Sequence, residues 1–160
     1  MSTTANQTAE FSDAAREATG RHLQLTLAEL IALSLIAKQL HWNVRGRDFQ
    51  SAHLQLDELA AEWQELADVA AERAASINRS PDGRVEAIAT ADVEPIDPGF
   101  VETTTAIRQL EGRLSVVAAR VRSRCELLGD VDLVSQDVLI GVTRRLEEQL
   151  WKLCSQCSQW

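Results

Sequence analysis

No tyrosine occurs in the 160 residues, methionine stands only at position 1, and there are three prolines and seven glycines. So few turn formers argue against a protein of many short strands. Abundant Ala, Leu, Glu and Arg point instead to an all-α chain, and the length favours a single domain over 1–160, with 1–9 a loose tail. Cysteine is scarce too: Cys125, Cys154 and Cys157 are odd in number and late in the chain, so they form no disulfide framework, and a reducing cytoplasmic compartment is expected. Residues 1–20 hold no apolar run of the secretory kind, and no stretch reads as long and uncharged enough to cross a membrane. Positive charge is also lacking. The net charge is −8 and the pI about 4.9, the wrong sign for a nucleic-acid binder without a local basic patch. From residue 1 to 21, Arg16 and Arg21 stand against Glu10, Asp13 and Glu17, and the closing LWKLCSQCSQW supplies only Lys152.

What is present is helical periodicity. Leu23, Leu27, Leu30, Leu33, Ala37 and Leu40 recur at three- and four-residue steps, predicting a first helix over 10–43 with Gly20 as an irregularity near its start. Leu25, Ile31, Leu35 and Ile36 widen that surface, as for a helix covered on several sides. The helix should end around Asn43, with Gly46 in the turn and Asp48 capping a second helix over 48–79. Residues 76–99 hold all three prolines, with a turn signature at Pro81-Asp82-Gly83. A connection that long suits a crossover that sets the next helix parallel to the second. Helix three is expected over 100–127, stopped by Gly129, and helix four over 134–156, with no strand pattern, repeat or low-complexity segment.

Residues 41–72 carry the chemistry: HWNVRGRDFQSAHLQLDELAAEWQELADVAAE. Two of the three histidines, His41 and His53, lie here, and Asp57, Asp68 and Glu72 follow on one helix. At about 100° per residue, His53, Asp57, Asp68 and Glu72 fall near 0°, 40°, 60° and 100°, a single stripe of metal-ligand side chains. Leu54, Ala61 and Ala71 share the arc and could keep it partly dry. Imidazole with carboxylate suits iron or zinc better than magnesium or calcium. Asp57 and Asp68 are, however, roughly 16 Å apart along the axis, so one metal or one close pair cannot bridge them. Either there are two unrelated half-sites, or an antiparallel copy brings His53 and Asp57 of one chain against Asp68 and Glu72 of another, as a two-fold contact does. A solvated acidic face explains any one of these residues alone; the set together favours an intersubunit metal site.

With H-W-N-V-R-G at 41–46, D-F-x-x-x-H-x-x-L-D at 48–57 and D-x-x-A-E-R at 68–73, the stretch resembles the Dps family, the mini-ferritins called DNA-binding proteins from starved cells. The resemblance implies a ferritin-like four-helix bundle with a short helix in the long crossover, placed here around 92–97. It implies a hollow homo-dodecamer that oxidises Fe²⁺, favouring hydrogen peroxide, at mono- or di-iron sites and stores ferric mineral. The ligands carried over are His41, His53, Asp57, Asp68 and Glu72. Acidic residues lining an iron-entry pore match best at Asp137, and less well at Asp130 and Asp132, where helix capping is the plain alternative. DNA-compacting relatives use basic terminal extensions; the ends of this sequence have none, so DNA binding is expected to be weak or absent and a nucleoid-coating role is the alternative.

Three further features complete the reading. No Glu-x-x-His occurs, so an ordinary ferritin di-iron centre inside the bundle is excluded and an apolar interior is expected. Cys154-Ser-Gln-Cys157 lacks the partners of a zinc or thioredoxin-like site and reads as incidental thiols, with Cys125 a small core residue. Trp42 and Trp63 read as packing residues, with Trp42, next to His41, the candidate electron donor to an oxidising iron site.

Overall fold

The computed structural model describes residues 11–157; the expected loose tail at 1–9 lies outside them. α1 runs Asp13–Asn43, opened by Ser12, whose hydroxyl accepts from the Ala15 N–H at 3.2 Å and satisfies one orphan donor of the first turn. It passes unbroken through Gly20, where a Cβ would meet Arg79 Cγ at 2.7 Å, so this glycine serves a close approach and is no irregularity. The leucine stripe from Leu23 to Leu40 is buried, each such side chain contributing about 1.5–3 kcal/mol. Leu25 and Leu35 remain over half exposed, so the single chain does not use the whole apolar surface of α1. By length and composition α1 could in fact cross a membrane, against the sequence expectation; more than half of its most apolar window is buried among the other helices, as in a core helix.

The chain turns through β1 (Val44–Arg45) and Gly46, whose φ of 109° suits glycine alone and where a Cβ would strike the Glu102 carboxylate. Asp48 does precede α2 (Phe49–Ser76), but at φ 60° it is left-handed and its side chain makes no capping bond. Ala52, Leu56, Ala60, Trp63, Ala67 and Ala74 form the buried face of α2, and small alanines let α1 and α2 lie close along their length. The tight turn after α2 lies at Ile77–Asn78. At 81–83 the chain is instead pinned to α1, Gln24 bonding both the N–H and the carbonyl of Asp82 at 2.8 Å.

The short crossover helix is present as α3, Val85–Ile88, and not at 92–97. Residues 92–95 lack regular structure because Arg113 donates to the carbonyls of Glu94 (2.6 Å) and Pro95 (2.5 Å), and Arg120 to Asp92, from the next helix. Two-residue β2 (Val101–Glu102) then pairs with β1 in parallel, Val44 opposite Val101, a contact too short for the sequence to have marked. This clip starts α2 and α4 (Thr103–Leu128) at the same end of the bundle, so the crossover does span its length. α5 (Leu133–Cys157) returns antiparallel to α4, completing four long helices around one core. That core is not wholly apolar, contrary to expectation: Glu29 of α1 and Arg124 of α4 are 3% and 8% exposed and face each other inside it.

Candidate metal centre

On α2 the ligand stripe and the core stripe diverge by geometry alone. At about 100° per residue the buried positions from Ala52 to Ala74 centre some 120° away from the centre of His53, Asp57, Asp68 and Glu72. The candidate ligands therefore lie off the core, on the outer face of the α1–α2 pair. Leu35, Trp42, Phe49 and Leu54 are exposed around them.

His41, at the end of α1, and His53, in the second turn of α2, meet across the Gly46 turn. Their rings stack with centroids 3.7 Å apart and planes at 20°. The Nδ1 of His41 lies 2.7 Å from the His53 carbonyl, and the Nδ1 of His53 lies 2.9 Å from the His41 carbonyl. A carbonyl only accepts, so both Nδ1 atoms carry a hydrogen, which leaves Nε2 as the nitrogen of each ring open to a metal. Reciprocal backbone bonds thus select the tautomer and fix the ring orientation that a metal-binding imidazole pair requires.

Asp57, one turn after His53, accepts a bond from Lys38 of α1. That ammonium holds the Asp57 carboxyl below the usual carboxylate range, outweighing partial desolvation, with the nearby histidines acting in the same direction. A metal taking Asp57 must displace this lysine. Lys38 was not singled out from the sequence, although it stands one helical turn before His41 and so shares its side of α1.

Asp68 and Glu72 are exposed and form no hydrogen bond or ion pair among the described residues. The chain stacks His41 on His53, sets Asp57 one turn further along α2 against Lys38, and leaves Asp68 and Glu72 three and four turns beyond Asp57 on the same helix. Among the described residues, no three His, Cys, Asp or Glu side chains of one chain converge as a metal site would require.

The three candidate pore residues behave differently from one another. Asp132 is committed: Arg73 donates to it at 2.9 Å, the Ser135 hydroxyl bonds it, and its Oδ1 accepts from the Val134 N–H at 3.1 Å at the start of α5. Burial pushes its carboxyl up, but the Ser135 and Arg73 bonds together outweigh that and leave it below the usual range. Asp130 and Asp137 are exposed, among Leu127, Val131, Leu133 and Val134, which are exposed as well. Trp42 is 65% exposed beside His41, whereas Trp63 is fully buried and donates its indole N–H to Gln149 at 2.8 Å, a packing role.

Comparison with known proteins places these features in context. A family model described as a ferritin-like domain matches residues 21–160. Over 132 residues the chain is 35% identical to the DNA protection during starvation protein of Mycolicibacterium smegmatis, covering 81% of this chain and 71% of that protein. It is 33% identical to DNA protection during starvation protein 2 of Deinococcus radiodurans, with 82% of this chain aligned to 55% of that longer relative. Among solved structures, Dps of Mycobacterium smegmatis in a tetragonal form superposes with a TM-score of 0.88 at 30% identity, covering 92% of this chain and 90% of that one. Dps from Microbacterium arborescens in a high iron form also gives a TM-score of 0.88, at 29% identity, over 92% of this chain and 97% of that one.

Proposed function

The chain belongs to the Dps family of ferritin-like proteins, and from that premise we propose that it oxidises Fe²⁺ at sites shared between two subunits and stores the ferric product inside a hollow homo-dodecamer. His41, His53 and Asp57 of one chain form one half of each site, and Asp68 and Glu72 of the partner subunit the other. The observation that carries this reading is the split itself: two imidazoles with preset tautomers at one end of a helix face, two unpaired carboxylates at the other, and no way for one chain to join them.

Iron is the substrate. Nε2 of each histidine suits Fe²⁺, and the carboxylates favour the higher charge after oxidation. With hydrogen peroxide as oxidant, two Fe²⁺ give one electron each, the O–O bond breaks, and both oxygens leave at the level of water. Trp42, exposed beside His41, is positioned to give an electron when only one iron is bound. Zn²⁺ fits the same donor set without redox chemistry. Asp137 and Asp130 draw cations toward an entry pore through their field, while Asp132 holds the α4–α5 turn. Removal of Fe²⁺ and peroxide in the cytoplasm protects DNA without contact, which agrees with a net charge of −8.

Complementation tests the shared site. One variant carries His41→Ala and His53→Ala, another Asp68→Ala and Glu72→Ala; each alone assembles and oxidises iron poorly. A mixed two-fold dimer rebuilds one intact site from the two unmutated halves, so dissociation and co-refolding of the two variants restores part of the activity. Mixing of intact shells does not. Shells shown by mass spectrometry to contain both variants, yet inactive, would exclude the intersubunit assignment.

A further inference from the structure

Two of the three cysteines occupy the last described turn of α5, which meets the start of α2 at Ser51 and Gln55, on the side of that helix away from the His53 stripe. Cys154 is partly buried and its Sγ donates to Glu111 Oε1 of α4 at 3.4 Å. Burial, and then this bond, push the Cys154 thiol up, so it is held protonated against a carboxylate. Cys157, the last residue of α5, packs partly against the core and lines a cavity of about 330 Å³ with Ser51, Gln55, Thr103 and Thr104. The cavity is polar on the side of those hydroxyls and large enough for a peroxide molecule. Cys125, by contrast, is buried against Thr143 at 3.3 Å, outside this arrangement.

We propose that Cys154 and Cys157 are a peroxide-oxidisable dithiol that closes to an intrachain disulfide and, in closing, opens the last turn of α5. Residues three apart on a regular helix keep their Cβ atoms about 5–6 Å apart, whereas a disulfide needs about 3.5–4.5 Å. The bond and the helical turn are therefore mutually exclusive. Position decides whether the exchange is feasible: the pair lies in the last described turn of α5, where unwinding gives up few of that helix's hydrogen bonds.

The step balances with hydrogen peroxide as the two-electron oxidant. The Cys157 sulfur, as thiolate, bonds one peroxide oxygen; the O–O bond breaks and the other oxygen leaves as water with the proton that Cys157 has released. Cys154 then attacks the sulfenic sulfur while its proton passes to Glu111. The S–O bond breaks, and the departing hydroxide takes that proton, giving a second water and the disulfide. Two thiols and one peroxide yield one disulfide and two waters, with no iron involved.

The metal-free full chain, held with a chelator, is treated with equimolar hydrogen peroxide, alkylated and digested with trypsin. The peptide beginning at Leu153 contains both cysteines; it should lose two hydrogens, resist alkylation and regain both thiols with dithiothreitol. In Cys154→Ser, dimedone should label Cys157 as the trapped sulfenic acid. In Cys157→Ser, peroxide-dependent loss of the Cys154 thiol should disappear. Amide exchange across 154–157 should quicken in the oxidised form only. Full alkylation after peroxide, conversion to sulfinic acids without a disulfide, or cross-linking between chains would each overturn the proposal. Because iron is excluded throughout, none of these outcomes depends on the ferroxidase reading.

Discussion

Two charged clusters on α1 contrast in how they are closed. Glu29 sits in the core with both carboxylate oxygens engaged: Arg124 reaches Oε2 at 2.5 Å and Oε1 at 3.0 Å, and Arg120 approaches Oε1 at 3.3 Å. Arg124 also bonds Thr26, and Arg120 goes on to Asp92, tying the crossover to the bundle. Every charge there is answered within the chain. Twelve residues along α1, at His41 and across to His53 and Asp57, the donors are oriented but unclosed, with Lys38 alone covering Asp57. Buried charge must be paired where it lies, because desolvation penalises any that is not. The histidine face, beside exposed Leu35 and Leu54, has no such closure within the chain, and the proposed shared site rests on that difference.

The largest effect should come from breaking the closed cluster. Arg124→Met leaves Glu29 buried without its main partner and should cost about 3–5 kcal/mol, lowering the melting temperature by about 10 °C. The Glu29→Leu, Arg124→Met pair should recover most of that loss in thermal scans, since an apolar pair needs no partner. His53→Ala should do the opposite: a stability change of about 1 kcal/mol or less, with Zn²⁺ affinity measured by calorimetry falling by at least the roughly 10- to 100-fold that loss of a mere ligand-orienting partner costs. Equal destabilisation by Arg124→Met and His53→Ala would erase the distinction.

A second contrast concerns the acidic residues at the α4–α5 turn. Asp132 has its carboxyl depressed in the fold, so its contribution is complete above the ordinary carboxylate value of 3.8 and is lost as the pH falls through the lower folded value. Asp132→Asn should lower stability by about 1–2 kcal/mol at pH 7, where a charged hydrogen-bonded acceptor is lost. Its gap from the unmodified chain should narrow below about pH 4 in melts taken from pH 7 to pH 3. Asp137→Asn should leave the melt unchanged and slow the initial uptake of limiting Fe²⁺ severalfold, because it removes field and not structure. An unchanged uptake rate would make Asp137 an ordinary surface residue. The smallest signal is the expected absence of one: at about 0.15 M salt the protein should not retard duplex DNA, where tight binding requires several phosphate contacts. Salt-sensitive retardation abolished by replacing surface arginines would reverse that reading.

Much of the bundle was legible because its signals are local. The stripe Leu23–Leu40 is periodic, as are Ile107, Leu110, Leu114, Val117, Ala118 and Val121 along α4, and both sets are buried where the period says. That His53, Asp57, Asp68 and Glu72 share one face of α2 follows for the same reason, a helix converting spacing directly into a shared face. Features set by distant partners were not. Glu29 reads as one acid in an apolar helix, and its answer, Arg124, lies 95 residues away. Asp82 and residues 92–95 read as turn and helix, but Gln24, Arg113 and Arg120 from other helices hold them otherwise. Asp48 has the right chemistry for a cap and the wrong backbone, φ 60°, imposed by the turn that stacks the histidines.

By itself, then, the sequence determined four helices, a long crossover, and a stripe of His and carboxylate that one helix cannot close, because helical period and rise are properties of the local backbone. Only the tertiary structure decided which imidazole nitrogen is left for a metal, that Lys38 covers Asp57, that Asp132 is spent on Arg73, and that the core holds an ion pair. Each of those depends on a hydrogen bond between segments brought together by packing, and a contact of that kind has no period to read.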